Sequence, residues 1–280
     1  MGSRRGGARG RLFFYFQRRE AGMKTTAGAH AAGEMAADAQ NGPLMPEDRL
    51  FKAPNDRVRV VADFDELVST RFDGRVNALC WPRMLEGDFD AVACALAVPR
   101  GITHLDEEML RALELDAAGK RAVEVMVADL KLLEAHGLQP SLDCVNGYTH
   151  DDAADLLRTD VCSFHVDSAT AEADTFLCTY SGACSIGVMN EHTTRHVDAP
   201  ETRQRLLAAH GGADDEAFEE FLSDHFFDLH YAVAPDAPVY AFGVGHLWRI
   251  ATLHPGCAVP PCVHRAPDPL PGQKRLLLIS

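Results

Sequence analysis

The spacing of apolar side chains changes character along the chain. Across residues 103–137 they recur every three or four positions. Met109, Leu110, Leu113 and Leu115 make one stripe; Val123, Met126, Val127, Leu130 and Leu133 make a second. That period predicts helices with one buried face. Thr103 is suited to cap the region. Asp106, Glu107 and Glu108 suit the positive end of a helix dipole, and Gly137 with Pro140 beyond it marks the stop. Upstream, Val58, Val60 and Ala62 predict a short strand and Asp63–Val68 the opening of a helix. The apolar run Val76–Trp81 is closed by Pro82.

From Val161 onward the texture is β-prone. Val161–Val166, Thr175–Tyr180, Ser185–Met189, Val239–Val244, Leu247–Leu253, Val259–His264 and Arg275–Ile279 are short runs punctuated by Gly and Pro. Several such strands at modest spacing predict a sandwich or barrel. Pro200–Phe227 interrupts them as a helical stretch, with acids around Asp214–Glu220. Residues 1–55 share neither period: Gly2–Gly10 is Gly/Arg-rich and Thr25–Gly42 is small and polar. They read as a disordered or loosely attached tail, with Met23 as an alternative start. Residues 56–280 read as one α+β domain. Its helical part is 56–160, and its β-rich core is 161–280 with a helical insertion near 200–228.

Composition narrows the function classes. Apolar residues make up 46% of the 280, which supports a core and excludes wholesale disorder. No apolar run reaches the roughly 18–20 residues of a membrane-spanning helix, so no membrane role is expected. The net charge of −14 is unevenly spread. Residues 1–24 hold seven basic side chains and one acid, Glu20, which leaves −20 on the rest. A body that acidic repels phosphate backbones, so nucleic acid is not an expected partner. The eight cysteines form no C-x-x-C pair and no secretory-type apolar segment precedes them. They predict reduced thiols and a cytoplasmic protein. The sequence leaves oligomeric state and substrate identity open.

Candidate chemistry begins with histidine followed two residues later by aspartate. On a strand these two side chains share a face and can reach one ion. Thirteen histidines and twenty-five aspartates predict about one such pair by chance in this composition. Four occur: His104/Asp106, His150/Asp152, His165/Asp167 and His196/Asp198. His104 stands at an expected helix start, His150 in an expected turn, and Asp198 where it can cap the helix after Pro200. Only His165 and Asp167 follow a β-prone run, Val161–Phe164, and they are the favoured pair. His264 lies in a later strand-like segment. Arg275, eleven residues on, opens the last strand, and the Pro267–Gly272 turn predicts that these two strands form a hairpin. Two imidazoles and one carboxylate leave open positions on a six-coordinate ion, the facial set of non-haem Fe(II) oxygenases.

The order His165-Val-Asp167 … His264-x10-Arg275 resembles that of Fe(II)/2-oxoglutarate-dependent dioxygenases. The words Phe164-His-Val-Asp167, Leu177-Cys-Thr-Tyr180-Ser-Gly182, Val263-His-Arg-Ala-Pro267 and Lys274-Arg-Leu-Leu-Leu278 look more narrowly like an uncharacterised bacterial domain-of-unknown-function family, over about residues 75–280. The resemblance implies a double-stranded β-helix, the jelly-roll or cupin-like core, with N-terminal helices packed on it. It implies Fe(II) held by His165, Asp167 and His264, and 2-oxoglutarate as co-substrate anchored by Arg275. The substrate is then a small molecule or a protein side chain. Tyr180 is a candidate hydrogen-bond donor to the co-substrate, although a core tyrosine with a satisfied hydroxyl is the commoner role of such a residue. Arg265, beside His264, is expected to point the other way and make a surface ion pair.

Other chemistries fit less well. Cys257, Cys262, His254 and His264 match no structural zinc spacing. The deaminase, Gly-x-Ser-x-Gly, P-loop and dinucleotide-loop signatures are absent. A cupin-like metal- or ligand-binding module without turnover is the alternative to an oxygenase, and a metal-free β scaffold for protein interaction is the third class.

Overall fold

The computed structural model describes residues 53–148 and 156–280. In chain order come β1 (Val58–Val60), α1 (Phe64–Ser69), β2 (Ala78–Trp81), α2 (Phe89–Ala95), β3 (Gly101–Leu105), α3 (Glu107–Arg111), α4 (Ala117–Ala135) and β4 (Ser141–Asn146). Then follow β5 (Asp174–Ser181), β6 (Ile186–Val188), β7 (Thr193–Arg195), α5 (Pro200–His210), α6 (Glu216–Asp224), β8 (Tyr231–Val233), β9 (Val239–Ala241), β10 (Leu247–Ala251), β11 (Val263–Arg265) and β12 (Arg275–Ile279).

A seven-stranded sheet in the order β1-β2-β10-β5-β12-β4-β3 is the base of this α+β fold. Only β1 and β2 pair in parallel; the other neighbours are antiparallel. The sheet is open and does not close into a barrel. Alternation along each strand sorts its side chains between two layers. Phe176, Cys178 and Tyr180 of β5 and Leu276 and Leu278 of β12 face α1–α4, whose Phe64, Leu67, Val92, Leu110, Val123 and Met126 complete that core. Leu177 and Leu277 face the other way, with Trp248 and Ile250 of β10, towards Tyr240, Phe242 and Cys262.

Those last residues belong to a second layer. It contains a three-stranded sheet, β11-β6-β9, and a two-stranded one, β7-β8. The segment around His165 stitches the two together. His165 makes antiparallel bridges to His264 on one side and His230 on the other, and Tyr231 N–H donates to Phe164 O at 2.9 Å. The expected strand Val161–Val166 is thus present only as these bridges. The helical insertion is where the sequence puts it. α5 and α6 fill the connection between the paired strands β7 and β8 and pack their own core of Val197, Leu206, Phe218, Leu222 and Phe227.

Three expectations need correction. Residues 56–160 are not only helical, because β1–β4 supply four strands of the main sheet. Thr103 does not cap a helix but lies in β3; Asp106 caps α3 and Asp116 caps α4, each accepting from a backbone N–H three residues on. The predicted hairpin is not formed. β11 pairs with β6, while β12 pairs with β4 and β5 in the other layer. The Pro-rich connection over 266–274 therefore crosses the roughly 10 Å between packed sheets instead of turning within one.

Candidate metal centre

His165, Asp167 and His264 converge. Their ligand atoms all lie within 4.8 Å of one another. His165 Nε2 is 3.8 Å from Asp167 Oδ1, and His264 Nε2 is 3.8 Å from Asp167 Oδ2. Ligands at about 2.1 Å from one ion and at right angles stand about 3 Å apart, so closing on a cation needs shifts of under about 1 Å. The backbone explains the convergence. His165 and His264 exchange both N–H···O bonds, each 2.9 Å, which puts their side chains on the same side as direct cross-strand neighbours. Asp167, two residues on, shares that face. Its carbonyl accepts from Leu253 N–H at 2.8 Å, which fixes the strand end.

Hydrogen bonds set which imidazole nitrogen is available. His165 Nδ1 lies 2.8 Å from Ser163 O, and His264 Nδ1 lies 3.2 Å from Cys262 O. A carbonyl only accepts, so each Nδ1 carries the hydrogen and each Nε2 offers a bare lone pair towards Asp167. Burial, and then the neighbouring His264, push the His165 pKa well below the usual histidine value, which keeps the ring neutral. Asp167 Oδ2 accepts from Thr175 Oγ1 at 2.6 Å. His230 sits behind His165 with ring centroids 5.5 Å apart. Its Nδ1 is 2.6 Å from Ser163 Oγ, and burial drives its pKa down to about 2.

Arg275 lines the same cavity as the two histidines and Asp167, together with Leu177, Ser185 and Leu277. Its side chain enters from the opposite wall, on β12 of the main sheet. The residue is 6% exposed. Its Nη2 donates to Thr179 Oγ1 (3.0 Å) and Ser185 Oγ (2.8 Å), and Nη1 to Tyr148 Oη at 3.4 Å. Nε has no hydrogen-bond partner among the described residues. Among the described residues the other buried or nearly buried arginines each have a carboxylate: Arg57 has Glu191, Arg83 has Asp129 and Arg249 has Asp174. Arg275 has none within 4.0 Å among the described residues. A buried cation met only by neutral hydroxyls is costly unless an anion arrives.

Tyr180 does not join this group. It lies on the helix side of β5, donates to Asp129 Oδ2 at 2.7 Å and stacks on Phe89 with centroids 5.5 Å apart. It is the core tyrosine with a satisfied hydroxyl. The hydroxyls near Arg275 come from Tyr148, Thr179 and Ser185, which the sequence reading missed. Parity along β5 was the available signal, since Thr175, Leu177 and Thr179 alternate with Phe176, Cys178 and Tyr180.

The other His-x-Asp pairs are otherwise engaged. His104 lies in β3 with Nδ1 2.6 Å from Asp143, not Asp106. Asp198 receives two hydrogen bonds from Arg195 and does not cap α5, whose N-cap is Ala199. His150 and Asp152 lie outside the described residues. Arg265 makes the expected surface ion pair, to Asp268 at 2.9 Å. All eight cysteines are free thiols. No helix among the described residues is long and apolar enough to cross a membrane. No family model, curated protein or solved structure matches the chain, so a functional reading has to stand on this geometry.

Proposed function

We propose that the protein is a non-haem Fe(II)- and 2-oxoglutarate-dependent oxygenase on a double-stranded β-helix core, hydroxylating a small molecule or a protein side chain. The observation that carries the reading is Arg275: a buried guanidinium with no acidic partner among the described residues, aimed into the cavity that the His165–Asp167–His264 set also lines. A ligand that joins a cation at one end of this cavity to a guanidinium at the other is a chelating acid with a second, distal carboxylate. The donor set fits a hard-to-borderline divalent ion with open positions. Two facing layers, one bearing the metal ligands and the other Arg275, support the β-helix reading.

In this reading His165 and His264 bind the ion through Nε2 and Asp167 through a carboxylate oxygen. Bound iron supplies the redox chemistry by which dioxygen converts 2-oxoglutarate to succinate and carbon dioxide and hydroxylates a C–H bond. The protein's own part is placement. Arg275 holds the distal carboxylate, and Thr179 and Ser185 hold the guanidinium in plane. Their hydroxyls accept from Arg275 and retain a hydrogen each to donate to the same anion. Leu177 and Leu277 exclude water between the two charged ends.

The test is an anaerobic titration of purified protein with Fe(II) and then 2-oxoglutarate. The expected result is one ion per chain and a weak visible charge-transfer band on adding 2-oxoglutarate, abolished in Arg275→Ala. Metal uptake with no response to 2-oxoglutarate replaces the oxygenase with a metal-binding module. Absence of stoichiometric metal removes both.

A further inference from the structure

Each of the three candidate ligands is held by a second group, and for two of them that group is backbone. Asp167 is the exception. Its Oδ2 accepts from the Thr175 hydroxyl at 2.6 Å, and Thr175 Oγ1 is in turn 3.3 Å from Thr252 Oγ1. Thr175 and Thr252 are 1% and 0% exposed, so neither hydroxyl faces bulk solvent. A hydroxyl has one hydrogen. Thr175 commits that hydrogen to Asp167 Oδ2. The Thr252 hydroxyl must then supply the hydrogen between the two threonines. The order is fixed: Thr252 donates to Thr175, and Thr175 to Asp167. Chains aligned this way polarise and strengthen one another.

We infer that Thr175, backed by Thr252, is a positioning residue that makes Asp167 a one-oxygen ligand. The hydroxyl occupies Oδ2 and leaves Oδ1, on the His165 side, for the ion. The consequence is a count of open positions. A carboxylate swung to bind through both oxygens takes a fourth position on a six-coordinate ion and leaves two. A chelating keto acid needs two adjacent positions and dioxygen needs another. Thr175 therefore keeps room for co-substrate and oxygen together. The sequence marks this role only through strand parity, since Thr175 follows Asp167 by eight residues and heads the face of β5 that Leu177 and Thr179 continue.

This inference rests on the metal reading above, and its test separates the two. Thr175→Val keeps shape and removes the hydroxyl; Thr175→Ser keeps the hydroxyl. Both are compared with wild type by anaerobic Fe(II) titration, by the 2-oxoglutarate band and by thermal melting. The expected result is Fe(II) affinity about 10-fold or more weaker in Thr175→Val, within the range for lost outer-shell partners. The charge-transfer band should be shifted or lost even at saturating Fe(II), and Thr175→Ser should restore both. Thr252→Val should give a smaller change of the same sign. Equal Fe(II) affinity and an unchanged band in a folded Thr175→Val protein overturn the inference and leave the oxygenase reading intact. A Thr175→Ser protein that folds yet behaves like the valine variant overturns it as well, because loss of the hydroxyl is then not the cause. Wild-type protein that binds no Fe(II) overturns the metal reading itself.

Discussion

Arg275 carries a charge into a place where the rest of the fold does not need one. Guanidinium groups elsewhere in the interior are matched by carboxylates, as Arg83 is by Asp129 at 2.6 Å. Replacing an uncompensated buried charge with an apolar side chain of similar length removes a desolvation cost. Arg275→Met is therefore expected to leave unfolding free energy unchanged or to raise it by up to about 2 kcal/mol, read by denaturant titration, while eliminating any response to 2-oxoglutarate. A loss of more than about 2 kcal/mol, of the kind caused by breaking a structural network, would instead make Arg275 a fold element. The residue scale is also where sequence reading stopped short. The proximity of His165 and Asp167 was legible from strand parity, and the motif order pointed to His264 and Arg275 as their neighbours. Of the two roles open to Tyr180, its position on β5 gives the core one, because one step along the strand exchanges the cavity for the helix core.

At the scale of elements, β6 shows how tightly the second layer is built. Gly187 lies opposite His264 in the β11–β6 register and opposite Tyr240 in the β6–β9 register. A Cβ at Gly187 would stand 2.4 Å from Tyr240 Cζ and 2.6 Å from its Oη. The ring is buried and stacks on Phe242 with centroids 5.8 Å apart, so it has little room to yield. Gly187→Ala is expected to cost about 1–3 kcal/mol by overpacking and to weaken metal uptake by displacing β11 under His264. Thermal melting and Fe(II) titration check the two effects separately. Elements with their own signals were readable: Asp63–Val68 opens α1, which Asp63 caps, and the helical stretch expected over Pro200–Phe227 holds α5 and α6. β3 and β4 were not. The acids after Leu105 do start a helix, α3, but strand status for Gly101–Leu105 comes from pairing with β4 rather than from its own pattern.

On the scale of the whole molecule, contacts between the layers decide whether the site exists. One lies at Glu191, between β6 and β7, whose carboxylate binds Arg57 at 2.8 Å and also meets Arg75. Both arginines belong to the N-terminal side of the main sheet. Glu191's own backbone N–H, then Arg57 and Arg75, hold its pKa down to about 2. A carboxyl lowered on folding stabilises the native state above its unfolded pKa of about 4.5 and loses that contribution as pH falls towards 2. Glu191→Gln should lower the melting temperature at pH 7 and flatten its fall between pH 4.5 and 2. The effect should stay under about 1 kcal/mol, because the carboxylate is partly exposed and screened. A steeper acid limb in the variant would contradict this. The strand crossing over 266–274 has a mechanical corollary. It hands the chain from the wall that would grip the ion to the wall that would grip the distal carboxylate, so an occupant fastened at both ends acts as a rivet through the sandwich. Amide hydrogen exchange around 165–167 and 275–279 should then slow in concert when iron and 2-oxoglutarate are present together. Iron alone should protect only the first stretch.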